Sequence, residues 1–222
     1  SLFQLDENGY MHYESDLYTS TVGVDVSRYQ GNIDWAQVKA SGVDFAILRL
    51  GYRGYGTGKI VLDTYFRQNI QDAQANGIEI GVYFFSQAIT PEEARQEADY
   101  TLSLLESYPI TCPVVYDWEP ITFAEGARTD QLEHEVLTQC AAAFCQRVAQ
   151  AGYTPAVYFN QEMGYFSFDL KELSPFQFWL AEYDSYPSFY YGFTLWQYTH
   201  EGRVDGIQTP VDWNLDFSQL KR

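Results

Sequence analysis

The feature that most constrains this fold is the alternation of short apolar strands with amphipathic helices from residue 21 onward. Apolar, β-branched runs typical of buried strands occupy residues 22–26, 45–50, 78–85, 113–118, 155–159, 178–181 and 193–197. Segments with the apolar spacing of helices occupy residues 34–40, 63–76, 91–107 and 130–151. Strands separated by helices pair in parallel through right-handed crossovers, so the pattern predicts an α/β fold.

The number of strands decides between an open sheet and a barrel. The run is too long for a small open sheet, and no GxGxxG motif follows the first strand, so an (α/β) barrel fits best. Helix patterns become sparse after about residue 160. We therefore predict an irregular TIM-like (β/α) barrel with helices missing in its second half. Residues 1–20 lack a clear period; we predict an N-terminal extension packed on a barrel domain formed by residues 21–222.

The charge and the apolar pattern exclude two classes of partner. The chain has 30 Asp and Glu against 13 Lys and Arg, for a net charge of −17. A nucleic-acid backbone needs clustered Lys and Arg, so no nucleic-acid partner is expected. The acids are scattered along the chain, as on a solubilising surface. No apolar run approaches the roughly 20 residues of a membrane span.

Cysteine, histidine and glycine give no sign of a metal or nucleotide site. Cys112, Cys140 and Cys145 are odd in number and lack CxxC spacing, so we expect neither a disulfide framework nor a zinc site. His12, His134 and His200 lie far apart in sequence, which lowers the odds of a metal or Ser-His centre. The glycine-rich segment 51–59 lacks the Walker spacing of a nucleotide-binding loop, so we interpret it as a mobile loop over a groove at the barrel mouth.

The chain begins at Ser1 without a leader pattern, so we expect that a leader or anchor was removed, or that the chain is part of a longer protein.

The strongest chemical signal is the pair Asp117 and Glu119 at the end of an apolar strand. Side chains alternate across a strand, so both carboxylates share one face, roughly 6–7 Å apart along the backbone. Two crowded, partly desolvated carboxylates raise the pKa of one of them until it holds a proton near neutrality. A protonated acid beside an ionised one is the machinery of glycosidic bond cleavage, although a solvated strand rim can carry the same pair.

Two further acids fall where a barrel gathers its chemistry. Asp25 ends the first strand, and Asp212 lies near the close of the chain, where a last strand would lie beside the first. Four carboxylates at one barrel mouth would stabilise a fold poorly, because each must be desolvated or repelled by its neighbours. Taken singly, Asp25 can be a strand-end cap and Asp212 a turn residue.

Aromatic residues stand at the same level of the predicted barrel and would line a sugar-binding groove together with one amide. Singly, each of these aromatic side chains is more often part of a core. The predicted substrate-binding residues are Tyr52, Tyr83, Phe85, Tyr158, Tyr183, Trp196 and Gln197.

Several segments, in order over residues 21–217, together resemble the glycoside hydrolase family 25 lysozymes, which are bacterial and phage N-acetylmuramidases. The matching segments are residues 23–31, 33–35, 45–49, 81–86, 117–119, 179–183, 195–198 and 211–214. The resemblance implies a flattened, incomplete (β/α) barrel. It also implies hydrolysis of the β-1,4 bond between N-acetylmuramic acid and N-acetylglucosamine in peptidoglycan, without metal or cofactor.

The resemblance carries Glu119 over as general acid, with Asp25, Asp117 and Asp212 as the other active-site carboxylates. Our hypothesis is that the substrate's 2-acetamido oxygen attacks the anomeric carbon while Asp117 orients the amide. Direct attack by a carboxylate is the competing route. We expect a monomer acting outside the cell or in the cell wall. Two alternatives stay open: a cell-wall glycan-binding module without turnover, and a hydrolase of another N-acetylated glycan such as chitin.

Overall fold

The structure, a computed structural model, describes residues 2–220, with backbone only for the last two of these. Its strands are β1 Phe3–Leu5, β2 Met11–Tyr13, β3 Tyr18–Val26, β4 Phe45–Arg53, β5 Ile60–Leu62, β6 Glu79–Ser86, β7 Val114–Trp118, β8 Pro155–Asn160, β9 Gln177–Ala181, β10 Leu195–Gly202 and β11 Val211–Leu220. Its helices are α1 Trp35–Ala40, α2 Phe66–Ala75, α3 Pro91–Leu105, α4 His134–Gln150 and α5 Gln161–Phe166, with a 3₁₀ turn at Arg28–Gln30.

Eight strands close into the predicted barrel. The main sheet has the order β3-β11-β10-β9-β8-β7-β6-β4-β5, and pairing of β3 with β4 completes the ring, with β5 attached outside it. The ring is parallel from β3 through β10, but β11 runs antiparallel to both neighbours. The connection from β10 to β11, residues 203–210, is shorter than the dozen or so residues that a parallel crossover needs.

Apolar side chains form an inner and an outer core. Inside the barrel, a compact cluster includes Phe45, Ile47, Val115, Trp179 and Leu195, while a larger cluster lies between the strands and the helices. Gly23 of β3 faces the inside, and the ring of Phe45 occupies the space that its Cβ would need. The inner cluster fills the barrel floor, as in other small barrels, and leaves polar chemistry to the rim.

The second half of the barrel lacks most of its helices, as predicted. Helices α1 to α4 cover the strands up to β8, whereas only the short α5 follows β8, and loops 167–176 and 182–194 cover the remaining flank. The short α5 had not been predicted. Between these loops and α4 lies a cavity of about 1130 Å³ with many aromatic residues in its walls.

The N-terminal residues form a β1–β2 hairpin on the outside of the barrel. Tyr10 and Met11 are buried in the outer core, and the Met11 N–H donates to the Tyr198 hydroxyl at 3.0 Å. Strand β3 begins at Tyr18, four residues before the predicted start. A domain boundary at residue 21 stays a prediction.

Segment 51–59 differs from the predicted mobile loop. It comprises the end of β4 and a tight turn into β5, closed by a hydrogen bond from the Gly54 N–H to the Lys59 carbonyl at 2.9 Å. The buried Arg53 side chain donates to the Gly58 carbonyl at 2.7 Å and ties the turn to the fold. Residues 51–59 thus belong to a β-hairpin fixed by a buried arginine, and not to the mobile loop that was predicted.

The two remaining predictions concern membrane-spanning segments and the cysteines. Within residues 2–220, none of the helices has the length and apolar character that crossing a membrane requires. Cys112, Cys140 and Cys145 are buried as free thiols.

Candidate active site

The four predicted acids meet at one end of the barrel. Asp25 and Asp117 lie near the C-terminal ends of β3 and β7, and Glu119 directly follows β7. Asp212 lies at the start of β11 and pairs in register with Asp25, because an antiparallel strand brings its first residues to the rim where the parallel strands end. The antiparallel final strand thus delivers the fourth carboxylate.

These acids surround a cavity of about 200 Å³. We call this cavity the acidic cup. Its walls combine the four carboxylates with aromatic rings and one amide: Asp25, Tyr83, Asp117, Glu119, Tyr158, Trp179, Tyr183, Gln197 and Asp212.

Asp25 is fixed as a hydrogen-bond acceptor. Its Oδ2 accepts from Gln197 Nε2 at 2.8 Å and from Asn214 Nδ2 at 2.7 Å. The Asn214 amide is oriented in turn, since its Oδ1 accepts from the Trp179 indole N–H at 2.8 Å. Two amide donors on one oxygen favour the ionised form of Asp25, against its burial.

Gln197 is oriented by two tyrosines. Its Oε1 accepts from the Tyr158 hydroxyl at 2.7 Å and from the Tyr183 hydroxyl at 2.8 Å. The amide oxygen therefore faces the phenols, and the N–H group faces Asp25. The phenols of Tyr158 and Tyr183 and the amides of Gln197 and Asn214 thus form a hydrogen-bond network that fixes the position of Asp25.

Burial raises the pKa of all four cup carboxyl groups. Asp25 and Asp117 are only 5% exposed. Burial raises the pKa of Asp212 to about 9, with a further contribution from the negative charge of Asp25. Within residues 2–220, no Lys, Arg or His forms an ion pair with any of the four. The cup therefore keeps protons at a pH where exposed carboxyl groups have lost theirs.

Asp117 and Glu119 behave as a pair. Burial raises the pKa of both, and the charge of Glu119 adds to the rise at Asp117, whose pKa lies well above its usual range. A hydrogen bond with Asp117 offsets part of the rise in the pKa of Glu119. Asp117 Oδ1 is buried and has no hydrogen-bond partner in the described part of the chain. Two interacting carboxyl groups of this kind share a proton, which either can release.

Of the predicted aromatic residues, only Tyr83, Tyr158 and Tyr183 line the cup, together with Gln197. Tyr52 and Phe85 are register partners on β4 and β6, at the rim beside the cup. The prediction for Trp196 was wrong: it is 0% exposed, and its indole N–H donates to the Glu182 carbonyl at 2.8 Å. Neighbouring residues of a strand face opposite sides, so Gln197 points inward and Trp196 outward.

Two residues of the site were not predicted: Trp179 in the wall of the cup, and Asn214, which is not in the wall but donates to Asp25. The sheet accounts for both positions: Asn214 lies two residues after Asp212 on β11 and so shares its face, and Trp179 is the register partner of Tyr158. No group of three or more His, Cys, Asp or Glu side chains is arranged to hold a metal ion among the described residues.

The larger cavity on the flank offers different chemistry. Its acids, including Glu135, Asp169 and Glu172, are exposed to solvent, and its remaining walls are largely aromatic and aliphatic. A general acid works best where it is recessed from water, and the acids of this cavity are not. The smaller acidic cup is the candidate active site.

Comparison with known proteins shows the family to which the chain belongs. The family model described as Glycosyl hydrolases family 25 matches residues 24–207. The chain is 29% identical to Lysozyme M1 of Streptomyces globisporus over 204 residues, which cover 86% of this chain and 66% of that protein. It is 27% identical to the uncharacterized protein YegX of Escherichia coli K12 over 203 residues, 87% of this chain and 68% of YegX. The chain thus spans about two thirds of the length of these relatives.

A solved structure extends the likeness to the fold. The bacterial lysozyme from Streptomyces coelicolor superposes with a TM-score of 0.70 at 26% identity, covering 90% of this chain and 92% of that one. Since the family model matches most of its length and a solved lysozyme shares its fold, the chain belongs to glycosyl hydrolase family 25, a family of glycoside-cleaving enzymes.

Proposed function

We propose that this chain hydrolyses bacterial peptidoglycan by cutting the β-1,4 bond between N-acetylmuramic acid and N-acetylglucosamine. The observation that carries the proposal is the carboxyl pair Asp117 and Glu119, recessed in the acidic cup without an ion pair to any residue of 2–220. The lysozyme names of two similar proteins support the choice of glycan. We place the action at the cell wall, by a monomer, with no cofactor.

Glu119 is the general acid in this proposal. It is the less buried of the pair and lies just past the strand end, where a glycosidic oxygen entering the cup would meet it. Its raised pKa favours a carboxyl group that keeps its proton to a higher pH than an exposed acid does. Proton donation to the leaving oxygen contributes about 10²–10⁴ in rate.

Asp117 orients the substrate's own nucleophile. Its buried, unpartnered Oδ1 is an acceptor that the N–H of a 2-acetamido group can fill. The acetamido oxygen then forms a bond to the anomeric carbon as the glycosidic bond breaks and the leaving oxygen takes the proton of Glu119. Water, deprotonated by Glu119, opens the resulting ring, so the anomeric configuration is retained.

Asp25 and Asp212 differ in the proton they carry. Asp25 accepts two amide hydrogen bonds, while Asp212, with its pKa raised to about 9, supplies a hydroxyl donor beside it. Asp25 as acceptor and Asp212 as donor are register partners on β3 and β11, and together they can hold a sugar hydroxyl or a water molecule. We assign the pair to positioning rather than to proton transfer.

The test is the identity of the new ends released from purified peptidoglycan. Digests are reduced with borohydride and analysed by mass spectrometry, beside digests of chitin oligomers. Reduced muramic acid ends are the expected product. Reduced glucosamine ends would contradict the proposed bond, cleavage of chitin alone would favour another N-acetylated glycan, and no cleavage of either would favour a binding module.

The nucleophile needs a separate measurement. Substrate-assisted cleavage predicts that the first-formed product retains its configuration and that no sugar stays attached to the protein. Rapid denaturation during turnover followed by mass spectrometry of the intact chain detects such an adduct. A covalent glycosyl-enzyme on any cup carboxylate would overturn the substrate-assisted route in favour of direct attack.

A further inference from the structure

A cluster of cations and aromatic rings lies on the barrel rim beside the acidic cup. It consists of Arg28, Tyr29, Arg49 and Tyr52, and we call it the arginine–tyrosine stack. The Arg28 guanidinium lies 5.3 Å from the Tyr29 ring centroid and 5.6 Å from that of Tyr52. The Arg49 guanidinium lies 5.2 Å from each of the same two rings. Two rings thus hold two cations in place.

The stack has donor groups that the protein does not use. Arg49 pairs with Asp63 through Nε at 2.8 Å, but its Nη2 is buried without a partner in residues 2–220. Arg28 forms no ion pair among those residues. Five of the eight arginines in residues 2–220 form an ion pair, and Arg28 is one of the three that do not. The stack carries an uncompensated positive charge.

The local backbone fixes the stack next to the cup. Arg28 follows Asp25 by three residues, and its own N–H donates to Asp63 Oδ2 at 3.1 Å. Ser27 caps the 3₁₀ turn that carries Arg28 and Tyr29. Arg49 is the register partner of Tyr83, which lines the cup. A glycan in the cup would therefore extend past the exposed face of the stack.

We propose that the arginine–tyrosine stack is a binding site for a carboxylate of the substrate, with Arg28 as its main contact. This inference rests on the proposed function. A guanidinium binds a carboxylate through two parallel hydrogen bonds. The rings of Tyr29 and Tyr52 already hold the Arg28 guanidinium before the substrate binds, so less side-chain entropy is lost on binding. Tyr29, 68% exposed, leaves the stack open to solvent.

Peptidoglycan offers this chemistry from two sources. One is a carboxyl group of the stem peptide. The other is the lactyl group of muramic acid, which is charged only where the peptide has been removed. Chitin offers neither, so the stack would favour peptidoglycan over a neutral N-acetylated glycan.

The test compares Arg28→Gln with the intact protein on three substrates: peptidoglycan with free peptide carboxyls, the same material with its carboxyls amidated, and strands stripped of peptides by an amidase. We expect Arg28→Gln to raise KM about tenfold on a free-carboxyl substrate, with kcat within twofold. Amidated material should show no difference. A rise confined to intact peptides assigns the peptide carboxyl, and one confined to stripped strands assigns the lactyl carboxyl.

Controls separate the site from folding and from general charge. Arg67→Gln removes an exposed arginine on α2 and should leave KM unchanged on every substrate. Arg28→Lys keeps the charge without the two-pronged donor and should recover part of the affinity, and the melting temperature reports folding. The inference would be overturned if Arg28→Gln changed KM, relative to the intact protein, by the same factor on free-carboxyl and amidated substrates. No cleavage by the intact protein would overturn the proposed function and this inference with it.

Discussion

Two regions of this barrel bury carboxylates, and they do so in opposite ways. In the acidic cup, Asp25, Asp117, Glu119 and Asp212 face one another without an ion pair among the described residues. Under the β4–β5 hairpin, Glu97 is 0% exposed and pairs with Arg53 at 2.7 Å.

Two arginines compensate the acids in the region of Glu97: Arg53 pairs with Glu97 and Arg128 with Glu93. Arg53 donates onward to the Gly58 carbonyl at 2.7 Å and to the Glu93 carbonyl at 3.0 Å, and Arg128 binds both Glu93 carboxylate oxygens at 2.8 Å. Burial raises the pKa of Glu97 to about 7, a rise that a hydrogen bond with Ser86 and the hydrogen bond and charge of Arg53 moderate. Burial raises the pKa of the less buried Asp212 to about 9, and there the neighbouring Asp25 adds to the rise instead of offsetting it.

The difference shows that a counter-cation determines whether a buried carboxylate serves stability or chemistry. A buried carboxylate with an arginine holds elements together, and its loss leaves an uncompensated buried cation. A buried carboxylate beside another acid destabilises the fold but retains a proton for chemistry. The comparison predicts that changes in the cup affect turnover, whereas changes in the Arg53–Glu97 pair affect stability.

The largest effect is expected for Glu119→Gln. Removing the proton donor should lower kcat by about 10²–10⁴, the usual contribution of general acid catalysis. The melting temperature should stay the same or rise, because a neutral amide replaces a recessed acid. Release of reducing ends from peptidoglycan measures the first effect and circular dichroism the second. Activity within tenfold of the intact protein would mean that another group is the acid.

Glu97→Ala should reverse this pattern. It leaves Arg53 buried without its partner and should lower the free energy of unfolding by about 3–5 kcal/mol. The value of kcat for the folded protein at low temperature should stay within about twofold, which urea titration and initial rates together determine.

Glu92→Ala is the matched control for this change. Glu92 lies on the same helix, and its side chain is 69% exposed in a surface pair with Arg95. Its loss should change the free energy of unfolding by less than about 1 kcal/mol. Equal destabilisation by the two changes would remove the structural role assigned to Glu97.

Asp212→Asn should stabilise the protein in a pH-dependent way. The folded state holds the Asp212 proton up to about pH 9, while the unfolded state releases it near its ordinary value of 3.8. Unfolding therefore releases a proton between these values, so the free energy of unfolding falls as pH rises from about 4 to 9. Asparagine removes this loss, so the gain should be largest at pH 8–9 and vanish near pH 4.

The size of that gain can be measured as a shift in melting temperature. A gain of about 1–2 kcal/mol corresponds to roughly 2–8 °C for a chain of this length. Asp130→Asn, which changes an exposed acid, should give no pH-dependent shift. A shift for Asp212→Asn that is constant with pH would contradict the raised pKa.

The smallest effect is expected for Tyr183→Phe. It removes one of the two phenol donors that orient Gln197, and a hydrogen bond contributes about 0.5–1.5 kcal/mol. The ratio kcat/KM should fall about two- to tenfold in initial-rate measurements. Tyr198→Phe removes an outward-facing hydroxyl that accepts from the Met11 N–H, so it should lower stability and leave kcat/KM unchanged. An equal fall in kcat/KM for both would contradict the proposed network.

Much of the barrel could be predicted from local sequence patterns. The apolar runs at β6 and β7 and the helical spacing of α3 each appear within one short segment, which is why they were found close to their observed bounds. The reversal of β11 depends on the length of its connection rather than on its own residues. The pattern of the strand alone therefore could not predict its direction.

The site was predictable where one rule sufficed. The rule that barrel chemistry lies at strand ends located Asp25, Asp117 and Asp212, whereas Trp196 was misplaced because strand alternation was not applied to it. The contact of Arg28 with Tyr52 joins residues 24 positions apart. Such a contact follows from tertiary packing, which neither segment encodes by itself.

The most direct test of the central claim is a pH titration of the side-chain carboxyl groups by ¹³C NMR, with resonances assigned through Asp212→Asn and Asp117→Asn. The account predicts that Asp212 titrates near pH 9 and that Asp117 titrates well above its ordinary range, although the charge of Arg49 offsets part of the rise at Asp117. Titration of all four cup carboxyl groups below about pH 5, as exposed acids do, would contradict it.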